Sequence, residues 1–252
     1  MTDSPASDES TNRPYRRDIF ATTRWSLVVA AGSPESSPLA GRALDDLCRA
    51  YWYPLYVHAR RRGNTHEDAQ DLVQGFFARF LGKNYLEGLK AERGRFRAFL
   101  LAAFKHYDTT EFQRASRQKR GGGVPLLSLD WDTAEGRYRS EPIHEESPDR
   151  MYDRTWALAV LERVIVQLEA EFLAAHESHE FQVLKPYLMA DRAAVPYAEA
   201  AARLEIDENT ARVAVHRLRQ RYRRALRQEI QETLSDPANV DDELQSLFRA
   251  FG

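Results

Sequence analysis

Arginine is concentrated in one short segment of this 252-residue chain. From Thr210 to Arg227 the sequence holds seven arginines and no acidic residue. A guanidinium group stays charged at any physiological pH, and it can neutralise a phosphate or pair with the edge of a guanine base. The segment therefore predicts binding to a phosphate-rich polymer, which needs no covalent chemistry.

Basic and acidic residues are segregated along the chain. A second basic run at 114–120 precedes three glycines, whereas acidic residues dominate 130–153 and 229–243. The total of 36 Lys and Arg against 38 Asp and Glu, a net charge of −2, averages over these segments and does not exclude nucleic acid. One hypothesis from this pattern is that the acidic segments shield the basic ones and weaken non-specific DNA binding.

No group of residues in the sequence has the spacing of a catalytic or metal site. His176 and His179 are three residues apart, whereas zinc proteases place two histidines four apart on a helix. A solvated polar bend is the simpler interpretation of that run. Gly121 to Gly123 lacks the strand and the Lys-Ser/Thr pair of a phosphate-binding loop. We therefore expect a protein that is not an enzyme, with no catalytic residue, no metal site and no cofactor.

The compartment is indicated by features that the sequence lacks. Apolar stretches are far shorter than the roughly 18 residues that span a bilayer, and the first residues form no apolar run typical of a secretion signal. Cys48 is the single cysteine, so no disulfide can form within the chain. These observations predict a cytoplasmic protein without a membrane partner.

Apolar residues recur every three to four positions through much of the chain, which is typical of amphipathic helices. Leu44, Leu47 and Tyr51 belong to one such stripe, and Trp156 and Val160 to another. Because too few β-type runs exist to build a sheet, the predicted fold class is all-α, with two helical domains joined by a linker. The predicted divisions are a disordered N-terminal segment at 1–18, a helical domain at 19–120, an acidic linker at 121–150 that is extended at 130–132, a helical domain at 151–230 and an acidic C-terminal extension at 231–252.

The second helical domain carries a pattern typical of a helix-turn-helix. Tyr197 to Leu204 predicts a short helix, Glu205 to Asp207 a tight turn, and Asn209 onwards a longer helix. Helical periodicity leaves seven residues of the longer helix to face a DNA groove: Asn209, Thr210, Arg212, Val213, His216, Arg217 and Arg219. The alternative is a solvated arginine-rich helix, or one that pairs with the acidic tail.

Two further candidate surfaces lie before the linker. Asp68, Asp71 and Gln74 share one edge of a predicted helix that Thr65 caps, and they could accept hydrogen bonds from arginines of a partner protein. A solvated acidic face would show the same pattern. Further along, aromatic residues interleave with cations, which suits single-stranded DNA because bases stack on rings while cations hold phosphates. The candidate cations there are Lys105, His106, Arg114 and Arg117.

Three stretches resemble the extracytoplasmic-function class of sigma-70 family RNA polymerase sigma factors. Residues 68–77, DAQDLVQGFF, resemble the acidic helix of sigma region two, which docks on core polymerase. Residues 96–114 are similar to the stretch that melts and reads the promoter −10 element, and residues 197–226 to the region-four helix-turn-helix that reads the −35 element. The order and spacing of the three stretches are more specific than any one of them.

The resemblance implies a sigma factor that binds core RNA polymerase and promoter DNA and directs transcription initiation. It assigns the acidic edge to polymerase binding, the four candidate cations to the −10 element and the seven groove-facing residues to the −35 element. An anti-sigma factor or another regulator is a further partner that it allows. Two alternatives remain open: a helix-turn-helix regulator that binds duplex DNA without core polymerase, and an anti-sigma or other interaction module that makes no DNA contact.

Overall fold

The computed structural model describes residues 38–80, 95–115, 130–140, 146–189, 195–234 and 236–252. Side chains are described from residue 48 in the first range and up to residue 110 in the second. The predicted N-terminal segment at 1–18, the side chain of Arg114 and the whole of Arg117 lie outside this description.

Helices account for almost all of the described residues. They are α1 (Pro38–Arg61), α2 (His66–Phe80), α3 (Phe96–Ala115), α4 (Trp131–Ser140), α5 (Pro148–Ala174), α6 (Ser178–Leu184), α7 (Pro186–Met189), α8 (Tyr197–Leu204), α9 (Glu208–Gln231) and α10 (Val240–Arg249), with a 3₁₀ turn at Pro237–Asn239. Within these ranges, β-type pairing is limited to an isolated antiparallel bridge between Arg95 and Leu234. The predicted all-α class is confirmed for this part of the chain. None of its helices combines the length and the apolar composition that crossing a membrane requires.

Polar side chains set where several helices begin. The Thr65 hydroxyl accepts a hydrogen bond from the Asp68 backbone N–H at 3.1 Å and donates one to the Asp68 carboxylate at 2.9 Å, which confirms the predicted cap of α2. Ser147 caps α5, and Pro148 suits its first turn because proline has no N–H to satisfy there. Such caps typically stabilise a protein by about 1 kcal/mol.

The helix α5 is central to the core. It runs antiparallel to α1, and Trp156 donates its indole N–H to the Tyr51 hydroxyl at 3.3 Å. Its second half lies beside α9, where Glu171 pairs with Arg221 at 3.1 Å. The buried side chains of the described residues form one continuous apolar cluster. Helix α5 thus contacts helices of both predicted domains, α1 and α9.

The predicted extended stretch at 130–132 is wrong. Asp130 caps α4 instead, accepting hydrogen bonds from the Thr133 backbone N–H at 3.0 Å and the Thr133 hydroxyl at 2.6 Å. The Trp131 ring packs edge-on against Trp52 of α1, with ring centroids 5.0 Å apart. Asp130, one of the acidic residues that favoured a linker, is thus a helix cap. Trp131 is the apolar residue that attaches α4 to α1.

The acidic C-terminal extension also contains a packed helix. Val240 and Leu247 of α10 are buried, together with the side chain of Glu243, which has no exposed surface. Helix α10 contacts both α5 and α9. One face of α10, within the predicted extension, therefore belongs to the folded core.

Candidate nucleic-acid interface

Helices α8 and α9 form a helix-turn-helix. Glu205 ends α8 in the left-handed region, with φ 55°, and its N–H bonds to the Ala201 carbonyl. Asp207 then caps α9 by accepting a hydrogen bond from the Thr210 N–H at 3.0 Å. The hydrogen bonds from Thr210 also hold the pKa of Asp207 below its ordinary value, so the cap stays ionised at neutral pH. Ala211, one turn into α9, is fully buried and allows the two helices to approach closely.

Six of the seven predicted groove-facing residues are exposed on α9. They are Asn209, Thr210, Arg212, Val213, His216 and Arg217. Arg219 is placed differently, because its guanidinium donates two hydrogen bonds to the Tyr187 carbonyl oxygen, at 3.1 and 2.9 Å. Arg219 therefore attaches α9 to α7 in this structure.

The seven arginines of α9 divide into two sets. Four of them contact the rest of the fold: Arg212 lies over the Tyr197 ring, Arg219 bonds to Tyr187, Arg221 lies over the Phe172 ring, and Arg227 pairs with Asp241. The other three, Arg217, Arg223 and Arg224, are exposed and form no ion pair with another residue that the structure describes. A phosphate could approach these three without displacing a carboxylate.

Two hollows flank α9. The larger, of about 460 Å³, has a mixed lining: apolar Leu204, Ile206, Val213 and Ala214, polar Asn209 and Thr210, and one residue of each charge, Arg217 and Glu180. The smaller, of about 270 Å³, is lined by three arginines, Arg212, Arg219 and Arg223, together with Tyr197, Val215 and His216. An apolar surface beside an arginine suits thymine methyl groups and a guanine edge, and a cationic hollow suits a backbone phosphate.

The second predicted DNA surface lies on α3, and much of it is engaged inside the fold. Lys105 pairs with Asp149 of α5 at 2.5 Å, whereas His106 is exposed. Phe104 is wholly buried and Phe99 is half-buried, so both rings pack in the core. Of the candidate −10 side chains that the structure describes, His106 is therefore the one open to a ligand.

Asp149 forms its ion pair with Lys105 through one carboxylate oxygen. Its other carboxylate oxygen lies 3.2 Å from Nε2 of His58. Burial alone would raise the pKa of Asp149, but Lys105 and His58 outweigh that effect and lower it. Asp149 is therefore an ionised partner for Lys105.

The candidate protein-docking face lies on α2. Asp71 is exposed and forms no ion pair within the described ranges, whereas Asp68 is engaged in the helix cap and Gln74 is half-buried. A Cβ added to Gly75 would collide with the Tyr107 hydroxyl of α3, so this glycine allows α2 and α3 to pack closely. Asp71 is the candidate on this face that is most free to bind a partner.

Two buried ionic clusters were not predicted from the sequence. In one, Arg97 of α3 binds Glu243 of α10, with Nε and Oε1 2.6 Å apart. In the other, Tyr56 donates a hydrogen bond to Glu135 at 2.5 Å. The sequence does contain a sign of the first cluster. Arg97 lies among the apolar residues Phe96, Phe99 and Leu100, and a charged side chain that is buried among apolar ones needs a partner of opposite charge.

The described residues contain no group of three or more His, Cys, Asp or Glu side chains that could hold a metal ion. Comparison of the chain with protein families, curated proteins and solved structures finds no match. The geometry alone defines the candidate site: the described residues are helical, and the second helix of a helix-turn-helix among them presents exposed cations.

Proposed function

We propose that this protein is a sigma factor, which binds core RNA polymerase, recognises promoter DNA and thereby directs transcription initiation. In this proposal the helical units at 19–120 and 151–230 contact the −10 and −35 elements, and α2 contacts the polymerase. The protein supplies binding energy and performs no covalent step.

The observation that carries the proposal is the exposed face of α9 in the helix-turn-helix. Asn209, Val213 and Arg217 lie near the start of this helix, where such helices bring side chains to base edges in a major groove. Arg223 and Arg224 follow on exposed positions and can neutralise phosphates. This arrangement of base-reading and phosphate-binding side chains supports sequence-specific binding to duplex DNA.

Polymerase binding is supported by a different surface. The stretch at 68–77 resembles the docking helix of sigma region two, and Asp71 within it is exposed and unpaired among the described residues. Such a carboxylate can form charge-assisted hydrogen bonds with arginines of a partner protein.

A helix-turn-helix regulator that binds duplex DNA without polymerase is the second candidate. The ion pair between Lys105 and Asp149 favours it, because Lys105 already has an anionic partner within the fold. The two candidates differ in whether core polymerase binds the chain.

Asp71→Arg is expected to weaken binding to core RNA polymerase by about tenfold or more, because a hydrogen-bond acceptor becomes a charge of the opposite sign. Anisotropy of the labelled full-length chain, titrated with core enzyme, measures the affinity. Glu177→Arg makes the same change of charge at an exposed residue between α5 and α6, and it serves as the matched control.

Equal affinities for the two variants would show that α2 does not dock on polymerase. Wild-type chain that binds promoter duplex but never core enzyme would identify the regulator instead. Run-off transcription with core enzyme then tests whether binding leads to initiation.

A further inference from the structure

The smaller hollow beside α9 gathers basic side chains along one edge of the helix. Four residues that recur there every three to four positions contribute to its lining: Arg212, His216, Arg219 and Arg223. Tyr197 of α8 and the buried Val215 complete it. Among the described residues, this lining contains no carboxylate. The hollow therefore brings positive charges together without an acidic side chain in its wall.

Arg219 is fixed in the hollow by a neutral group. Its Nε and Nη2 donate to the Tyr187 carbonyl oxygen, at 3.1 and 2.9 Å. A guanidinium has five N–H groups, and the other three of Arg219 form no hydrogen bond with a residue that the structure describes. The Tyr187 ring in turn stacks on the Tyr197 ring, with centroids 5.8 Å apart. Because a carbonyl oxygen has no net charge, Arg219 is held in place while its charge is not neutralised.

A second arginine without a carboxylate partner lies one turn further along α9. Arg223 is exposed and forms no ion pair in the described part of the chain. Side chains four residues apart on a helix are neighbours, so the guanidinium groups of Arg219 and Arg223 can reach a common ligand. Like charges at this spacing repel each other, and an anion bound to both removes that repulsion. The pair therefore favours an anionic ligand.

The chemistry of the hollow indicates which anion suits it. Guanidinium N–H groups match the oxygens of a phosphate in geometry and charge. Val215 and the Tyr197 ring add apolar surface beside them, which suits the sugar carbons attached to a phosphate in a nucleotide. Arg212 already pairs with Glu208 at 3.1 Å, which leaves Arg219 and Arg223 as the arginines available to the ligand.

We propose that the hollow binds one phosphate group of a nucleotide, with Arg219 and Arg223 as its ligands. The inference rests on the proposed function for the source of this phosphate, which is then the DNA backbone beside the groove that α9 reads. A free nucleotide offers the same chemistry and is the alternative source. In both cases Arg219 is a phosphate ligand and not the base-reading residue that helical periodicity predicts.

Bound DNA then meets two edges of α9 that have different tasks. Asn209, Val213 and Arg217 are exposed on the edge that faces the bases. The hollow holds the backbone, whose phosphates are the same at every base pair and carry no sequence information directly. Since Arg219 is attached to α7, a phosphate bound to it fixes the position of α9 along the groove. The hollow therefore contributes affinity and register, but no sequence preference.

Inorganic phosphate, titrated into the isotope-labelled full-length chain, tests the site without DNA. The Nε–H resonance of Arg219, identified by its loss in Arg219→Lys, is expected to shift to saturation, with chloride at equal ionic strength as the reference. Arg223→Gln is expected to raise the Kd for phosphate about tenfold, because a charged hydrogen-bond donor is lost. Arg203→Gln removes the same charge at an exposed position of α8 outside the hollow, and it is expected to keep the wild-type Kd.

Equal Kd values for Arg223→Gln and Arg203→Gln would overturn the proposal, and so would a shift that does not saturate. Both residues are exposed, so neither replacement disturbs the core. Circular dichroism checks that the variants are folded.

Competition between inorganic phosphate and duplex DNA identifies the source of the bound phosphate. Anisotropy measures duplex binding in phosphate and in chloride buffers of equal ionic strength. If the hollow holds the backbone, phosphate weakens duplex binding more than chloride does in the wild type, and both anions act equally in Arg223→Gln. Phosphate that saturates the Arg219 resonance and leaves the duplex affinity as in chloride would exclude the DNA backbone and assign the hollow to a free nucleotide.

Salt dependence and sequence preference distinguish Arg223 from Arg217. Arg223→Gln is expected to reduce the slope of log affinity against log salt concentration by about one, and to weaken promoter and random duplexes by the same factor. Arg217→Gln is expected to reduce the preference for promoter duplex over random duplex. Loss of sequence preference in Arg223→Gln would show that Arg223 reads bases and would overturn its assignment to the phosphate.

Failure of the phosphate site and failure of the proposed function give different results. The phosphate titration uses the chain alone, so it reports on the hollow whether or not core polymerase binds. A chain with a saturable phosphate site that binds neither duplex nor core enzyme would retain the site and reject the sigma factor. A chain that binds core polymerase and shows no saturable phosphate shift would do the reverse.

Discussion

His58 is a buried imidazole with one hydrogen-bond partner among the described residues. Its Nε2 lies 3.2 Å from the Asp149 carboxylate, which can only accept, so Nε2 carries the proton. Nδ1 is buried and has no partner in the described part of the chain. A second proton, on Nδ1, would lack an acceptor. Burial accordingly lowers the pKa of His58, and the opposing effect of Asp149 does not compensate.

Lowering the pH from about 7.5 to about 5.5 is expected to reduce the free energy of unfolding through His58. The unfolded chain takes up a proton below about pH 6.5, whereas the folded chain resists protonation because its pKa is lower. The stabilisation is complete above that pH and is lost, at up to about 1.4 kcal/mol per pH unit, as the pH falls toward the folded value. Asp149 stays ionised in this range because its own pKa is lowered. Urea unfolding at the two pH values measures the change.

His58→Gln is the control for this titration. The glutamine amide can still donate toward Asp149, but it cannot be protonated in this range. Lys105 and Arg62, the cations that face His58, are retained in both proteins. The variant is expected to lose less stability on acidification than the wild type. An equal loss in the two proteins would assign the pH dependence to other groups.

At the scale of the element, α4 shows how a charged segment becomes a packed helix. Trp131 meets Trp52 in the first turn, and Glu135 follows one turn later. Burial would raise the pKa of Glu135, but hydrogen bonds from Tyr56 and Arg139 outweigh it and lower the pKa. An aromatic anchor and an ionised, fully bonded carboxylate therefore hold the helix to α1.

Trp131→Ala is expected to lower the free energy of unfolding by about 2 kcal/mol, because a half-buried indole loses its contact with Trp52. Asp132→Ala, at an exposed neighbouring position of α4, should cost much less. The midpoint of urea unfolding at unchanged slope measures both effects. Similar small losses would mean that α4 contributes little to the core.

Helices with a continuous apolar stripe could be predicted from the sequence, whereas α4 and α10 could not. The buried carboxylate of each has its partner far away along the chain: Glu135 binds Arg60 and Glu243 binds Arg97, 75 and 146 residues apart. No local pattern contains such a partner, so acidic residues in these segments indicated solvent exposure.

The recognition face of α9 could be predicted because the information for it is local in the sequence. Helical periodicity alone separates Val213 and Arg217 from the buried Ala211 and Val215. For Arg219, helical periodicity predicts the wrong environment. Its partner is the carbonyl of Tyr187, and only the fold brings that group to α9.

On the scale of the whole molecule, α5 belongs to both halves of the core. Tyr152 and Trp156 are buried in its first half, beside α1. Phe172, in its last turns, packs against Phe181 of α6, with ring centroids 5.2 Å apart. Because one helix completes both regions, neither can unfold without exposing apolar surface of the other.

Unfolding is therefore expected to be a single cooperative transition. In a Trp25→Phe chain, fluorescence of Trp52, Trp131 and Trp156 reports on the region around α1, and far-ultraviolet circular dichroism reports on all helices, including α9. The two urea transitions should coincide. Helical signal that persists after the fluorescence change is complete would show that the α9 region is stable by itself.

Helix α5 is the longest helix among the described residues. Its 27 residues make a rod about 40 Å long, with Asp149 at one end and the contacts to α9 toward the other. By simple geometry, a change of about 5° in the direction of such a rod displaces its far end by about 3.5 Å. The helix lies beside α1 near its start and beside α9 near its end, so its direction sets the distance between these two helices.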